Sequence, residues 1–252
     1  MTADRIGLLC LITAFAMLWL PLGQHPFLLE HWMKVGTFMA PFLLLAAFSF
    51  GQGDARGLRF YALALLIAYI IHQFEEHWVD IYGNTYAFQG AVNDLLKAAL
   101  GSPDSDVEIL TRAGVLVINT SLVWLVGALA IWSASRHAFP TLAMAAIVLV
   151  NAFSHIGSAV VSQAYNPGLL TSILLFIPLS VTIYVLLLRQ GLTNVFEVMV
   201  SIIWAVVAHV VMVGGLIITN WLMLVPEMVY FAALVLWSVV PMLVFRRQRQ
   251  SV

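Results

Sequence analysis

Apolar runs long enough to cross a lipid bilayer recur along this chain, and they constrain its fold more than any other feature. A spanning helix needs about 20 predominantly apolar residues, because the hydrocarbon core is about 30 Å thick and an α-helix rises about 1.5 Å per residue. Eight stretches fit: 6–22, 33–50, 58–80, 111–132, 139–163, 169–188, 195–219 and 222–245. Of the 252 residues, 62% are apolar and only 9% are charged, against roughly a quarter in a soluble domain. That much apolar surface excludes a soluble globular enzyme and a disordered chain. The near balance of 11 Lys+Arg against 12 Asp+Glu gives no basic field for nucleic acid. The runs are continuous rather than alternating, which excludes a transmembrane barrel. The expected fold is all-α, a polytopic helical bundle of about eight spans, with residues 1–252 forming one integral membrane domain.

The positive-inside rule gives this count an orientation. With a cytoplasmic N-terminus, the inner segments hold Arg5, Arg56, Arg59, Arg136, Arg189, Arg246, Arg247 and Arg249, while the outer ones hold Lys34, Lys97 and Arg112. Both termini are therefore expected in the cytoplasm, and the chain is expected to be a multi-pass protein of the cell (cytoplasmic) membrane. The first run is read as a retained helix, because Leu20-Pro21-Leu22-Gly23-Gln24-His25 offers no small-x-small cleavage site. Segment 24–34 is expected outside, in the interface. The longest connection, 81–110, is also expected outside, with a short amphipathic helix at 88–100. Cys10 is the single cysteine, so neither an intrachain disulfide nor a cysteine metal site can form.

Ionisable residues inside a bilayer cost several kcal/mol unless paired or wetted, and they mark candidate sites. Four spans carry them: His72, Glu75, Glu76 and His77 in the third, His155 in the fifth, His209 in the seventh and Glu227 early in the eighth. Counted from the span ends, His72, His155, His209 and Glu227 all lie within about 8–15 Å of the outer surface. Residues on different helices at one depth can meet.

In His72-Gln73-Phe74-Glu75-Glu76 the carboxylates follow the histidine at i+3 and i+4, on its face of a helix. Two adjacent glutamates in an apolar helix repel, so either one is protonated or a cation sits beside them. The expected metal ligands are His72, Glu75, His155 and His209, with Glu76 (and Glu75) as the catalytic carboxylates and Glu76 as base for a metal-bound water. Asn151, one turn before His155, is expected to orient its imidazole. Asn119 is read as a polar liner of the site and Glu227 as a site residue or a helix-start cap. Tyr165-Asn166-Pro167-Gly168 reads as a tight turn.

The run His72-Gln73-Phe74-Glu75-Glu76 resembles the signature of the HXXEE-domain family of multi-pass bacterial membrane proteins. The block Asn151-x-x-x-His155 followed by Tyr165-x-Pro167-Gly168 is similar to a second block in such proteins. The resemblance spans the third to about the sixth helix and implies membership without an established reaction. A weaker analogy is to intramembrane proteases of the CAAX-processing type. Their Glu-Glu-x-x-x-Arg run is not met here, since Glu75-Glu76 is followed by His77-Trp78-Val79-Asp80.

These readings point to a metal-dependent membrane enzyme, a hydrolase in the first instance, acting on a lipid-like or apolar small molecule from the outer leaflet. The cofactor expected is a divalent metal, zinc-like in preference to iron. One alternative is a proton- or ion-coupled transporter using the same His/Glu cluster. Another is a di-iron oxidoreductase, which would also need Glu227.

Overall fold

The computed structural model describes residues 26–50 and 58–244, together with residues 8–10, 12 and 16. Among them the regular elements are helices, with one isolated bridge between Val79 and Thr85. In chain order they are α1 (Pro26–Phe50), α2 (Leu58–His77), α3 (Ala87–Ala99), α4 (Arg112–Ser133), α5 (Phe139–Ser162), α6 (Leu169–Arg189), α7 (Val195–Trp221) and α8 (Glu227–Val239, extended by a 3-10 turn through Met242).

Six of these, α1, α2, α4, α5, α6 and α7, are long and apolar enough to cross a membrane. Helix α8 falls short, although hydropathy alone continues the apolar run back to residue 222. The backbone breaks that run: α7 continues through Trp221, Met223 takes a left-handed conformation (φ 54°), and Pro226 precedes the new helix. Within the segment 24–34, residues 26–34 are helical: α1 starts at Pro26, where a missing N–H costs a helix nothing. The first expected span, 6–22, lies largely outside the described residues.

Burial separates the helices into two groups. The apolar windows of α2 and α4 are 78% and 89% buried, against 28% for those of α1, α6 and α7. Helices α2 and α4 pack against each other and against α5, and α1 and α6 close over α2. The outer helices turn Phe42, Leu45, Leu174, Ile203 and Val210 outward, as a bundle dissolved in lipid should. The amphipathic α3 lies at the His/Glu end of α2, where the expected helix 88–100 falls.

Three spans contain π-helical stretches: Asn119–Leu125 in α4, Ser172–Phe176 in α6 and Ile217–Trp221 in α7. Such insertions shift side-chain register and recur at functional sites. The first begins at Asn119. The second follows Thr171 and places Phe176 against His72, ring centroids 4.3 Å apart.

Candidate metal centre

The last two turns of α2 bring four ionisable groups together in the protein interior: His72, Glu75, Glu76 and His77, all buried. His72 and Glu76 are one turn apart on one face, with Nε2 3.5 Å from Oε2. His155 approaches from α5, its Nε2 3.2 Å from Glu76 Oε1. One donor atom from each of His72, Glu76 and His155 lies within 4.8 Å of the others, so the trio could hold a metal ion. Tetrahedral ligands at about 2.0–2.1 Å from zinc stand about 3.3 Å apart; His72 lies 3.5 Å from one Glu76 oxygen and His155 3.2 Å from the other.

The hydrogen bonds behind the two imidazoles fix which nitrogen faces inward. Thr171 Oγ1 donates its one proton to Glu75 Oε2 at 2.5 Å. It must then accept from His72 Nδ1, 2.8 Å away. Asn166 Nδ2 donates to the His155 carbonyl at 2.9 Å, leaving its Oδ1 to accept from His155 Nδ1 at 2.6 Å. Both rings thus carry Nδ1–H and turn Nε2 toward Glu76, where each offers a lone pair when the ring is neutral. His72 Nε2 is buried without a hydrogen-bond partner. Two imidazoles and a carboxylate converging in a buried place make a donor set that could hold a cation.

Glu75 takes a different role from the metal ligand expected of it. Tyr165 Oη and the Leu170 N–H donate to its Oε1 at 2.9 and 3.1 Å. The Thr171 N–H and hydroxyl donate to Oε2 at 2.8 and 2.5 Å. Its charge therefore sits on the N-terminus of α6, where unpaired N–H groups and the helix dipole favour an anion. Burial and this carboxylate push the Tyr165 phenol up, so it stays protonated and donates. The two adjacent glutamates face different partners, Glu75 the α6 N-terminus and Glu76 the histidines. Glu76, expected as a base behind a ligating Glu75, is itself one of the three donors.

The other expected site residues divide. His209 lines the same cavity as Glu76 and His155, but its Nδ1 donates to the Ala205 carbonyl at 2.8 Å and it stands outside the trio. Asn119 also lines that cavity. It accepts from Gln73 Nε2 at 2.9 Å and reaches His77 Nε2 at 3.1 Å, while Trp124 Nε1 donates to Gln73 Oε1 at 2.9 Å. Asn151 does not orient His155: its Oδ1 is buried without a partner, and Asn166, reaching back from the α5–α6 turn, does that work. Glu227 accepts from Thr111 Oγ1 at 2.8 Å, tying the start of α8 to the start of α4. That bond engages the carboxylate a di-iron centre would need.

Sequence reasoning missed Thr171, Asn166 as an orienting group, and Gly168. A β-carbon on Gly168 would lie 2.7 Å from His72 Cε1 and 2.8 Å from His155 Cε1. Its φ of 94° is one that glycine adopts without strain. The turn read as a plain connection is thus pressed against both histidines.

The cavity at the trio has a volume of about 270 Å³. Leu95 and Leu96 of α3, Leu122 and Val123 of α4, Ile147 of α5, and Met212 and Leu216 of α7 supply most of its wall. Ser154 of α5 and Val213 of α7 are exposed at its margin.

Residues 63–183 match the family model HXXEE, described as a protein of unknown function with HXXEE motif. The matched segment holds the whole trio and every group that fixes it. No match was found among curated proteins or among solved structures.

Proposed function

We propose that this chain is a metal-dependent integral membrane enzyme that hydrolyses a lipid-like molecule at a His72/Glu76/His155 centre. The observation that carries the reading is the convergence of two buried imidazole Nε2 atoms on the Glu76 carboxylate, with one donor atom from each of the three residues within 4.8 Å of the others. Two histidines and one glutamate are a donor set used by catalytic zinc, and with open positions it also suits iron(II). A metal held there supplies Lewis acidity and lowers the pKa of a bound water. Glu76 and His155 line the cavity, so a ligand reaching its end meets the centre. The wall is mostly apolar and its margin carries exposed residues of α5 and α7, which suits a molecule arriving sideways from the bilayer. Toward the other end of the bundle Leu63, Leu65, Leu142 and Met144 are fully buried in close packing. That packing favours a dead-end site over the transport alternative.

The test is metal content followed by turnover. Detergent-purified protein is expected to hold one divalent ion, and His72→Ala, His155→Ala and Glu76→Gln are expected to lose it. Metal-loaded protein incubated with a bacterial membrane lipid extract is expected to release products, read by mass spectrometry, that Glu76→Gln does not. Substoichiometric metal unchanged by the variants, or identical lipid profiles, overturns the reading.

A further inference from the structure

A second hollow lies behind the trio. It has a volume of about 230 Å³ and is lined by Glu30 of α1, by Tyr86 and Gln89 around the start of α3, by Arg112 of α4, and by His77. Leu29, Trp32 and Met33 of α1 complete the wall, and the hollow carries charge at Arg112, whose Nη1 stands 3.8 Å from Glu30 Oε2, both groups largely open to solvent. The first cavity is by contrast mainly apolar. The two hollows share the side chains of Phe88 and Val115. His77 joins them chemically, because its ring lines the polar cleft while its Nε2 lies 2.8 Å from Glu76 Oε2. Phe88 packs edge-on against His77 at 4.8 Å and lies 6.2 Å from His155. The divide between the hollows is therefore about one aromatic ring thick, and the trio sits at it.

We propose that the cleft and the cavity are two compartments of one site whose ligand is an amphiphile. The apolar chain lies against Leu95, Leu122 and Met212, the hydrophilic headgroup lies in the cleft, and Phe88 is the partition between them. This rests on the metal reading above. Arg112 and Glu30 give the cleft one cation and one anion, which suits a zwitterionic headgroup. A plain hydrocarbon would leave both groups unused, and a fully water-soluble molecule would leave the apolar wall wet.

The test follows the release of Co²⁺ from protein reconstituted in phosphatidylcholine vesicles, after stoichiometric loading has been measured. Two chelators report on the two compartments: EDTA, which is charged and can come only from water, and 1,10-phenanthroline, which enters apolar spaces. Phe88→Ala is expected to speed release to EDTA by about ten-fold, as changes at a contact act mainly on off-rates, and to leave release to phenanthroline unchanged. Phe88→Trp is expected to slow EDTA. Lysophosphatidylcholine is expected to protect the cobalt from both chelators, and hexadecane from phenanthroline alone. Equal acceleration of both chelators by Phe88→Ala, unchanged EDTA rates in both variants, or equal protection by hexadecane and lysophosphatidylcholine overturns the two-compartment site while leaving the metal centre standing. Failure of the wild-type protein to load cobalt overturns both.

Discussion

A β-carbon on Gly168 would fall 2.7 Å from Cε1 of His72, closer than real side-chain contacts allow. The turn between α5 and α6 is therefore a wall of the candidate metal centre. Gly168→Ala is expected to displace both His72 and His155 and to cost about 1–2 kcal/mol of backbone strain, because its φ of 94° is left-handed. The measurement is metal affinity by competition with a chromophoric chelator. A loss of at least about ten-fold is expected, the scale seen when groups behind metal ligands are disturbed. The helical circular dichroism signal should stay near that of the parent protein.

Glu75 and Glu76 are neighbours in sequence with opposite duties, and neutralising each should give different results. Glu76→Gln removes a donor of the trio and should abolish stoichiometric binding. Glu75→Gln keeps the trio but weakens the bonds to Thr171 and to the α6 N-terminus. It should lower metal affinity by about 10–100-fold and lower thermal stability as well. Thr171→Val should follow Glu75→Gln in affinity, because it breaks the link between Glu75 and His72 Nδ1. Equal effects of the two glutamine variants on metal content would contradict this division.

Much of the centre was legible in the sequence. The i, i+4 spacing of His72 and Glu76 survives any detail of packing, because a helix puts both on one face. Counting depth from the span ends also brought His155 to the same level, and the structure pairs it with Glu76. The roles of the two glutamates were not legible. Adjacent helical residues point about 100° apart, and which one meets α5 depends on how the helices cross. The orienting groups Thr171 and Asn166 belong to a turn and a helix start that local sequence marks only as a connection. The bounds of the last apolar run were not legible for a related reason: hydropathy runs on smoothly past residue 222, while Met223 and Pro226 break the backbone there.

The turn after α2 carries a pH dependence of its own. Burial pushes the Asp80 carboxyl up, but bonds from the Asn84 side chain and from the N–H groups of Asn84, Tyr82 and Gly83 outweigh it and hold it below the usual aspartate value. A depressed value in the folded turn means that the ionised form stabilises it. That stability is complete above the ordinary aspartate pKa of about 3.9 and is lost as pH falls through the lower folded value. Amide exchange at Tyr82 and Asn84 should therefore quicken, relative to intrinsic rates, only in acid below that range. Asp80→Asn should exchange faster at neutral pH and show no further loss in acid.

The two asparagines near His155 offer the sharpest comparison. Asn151 lies one turn before His155 on the same helix, whereas Asn166 is 11 residues later and reaches Nδ1 at 2.6 Å. Asn166→Ala removes the acceptor that keeps the proton on Nδ1 and also the bond to the His155 carbonyl. The freed ring can turn or change tautomer, so metal affinity should fall by about 10–100-fold. Asn166→Asp keeps an acceptor at the same place and should restore part of that loss. Asn151→Ala removes a side chain whose Oδ1 has no partner in the buried wall, so metal affinity should stay near that of the parent protein. Its effect should fall on what occupies the cavity, which Asn151 lines, and on turnover of a lipid substrate. If Asn151→Ala rather than Asn166→Ala weakens the metal, the assignment of His155 Nδ1 to Asn166 is wrong, and with it the inward-facing lone pair on which the centre depends.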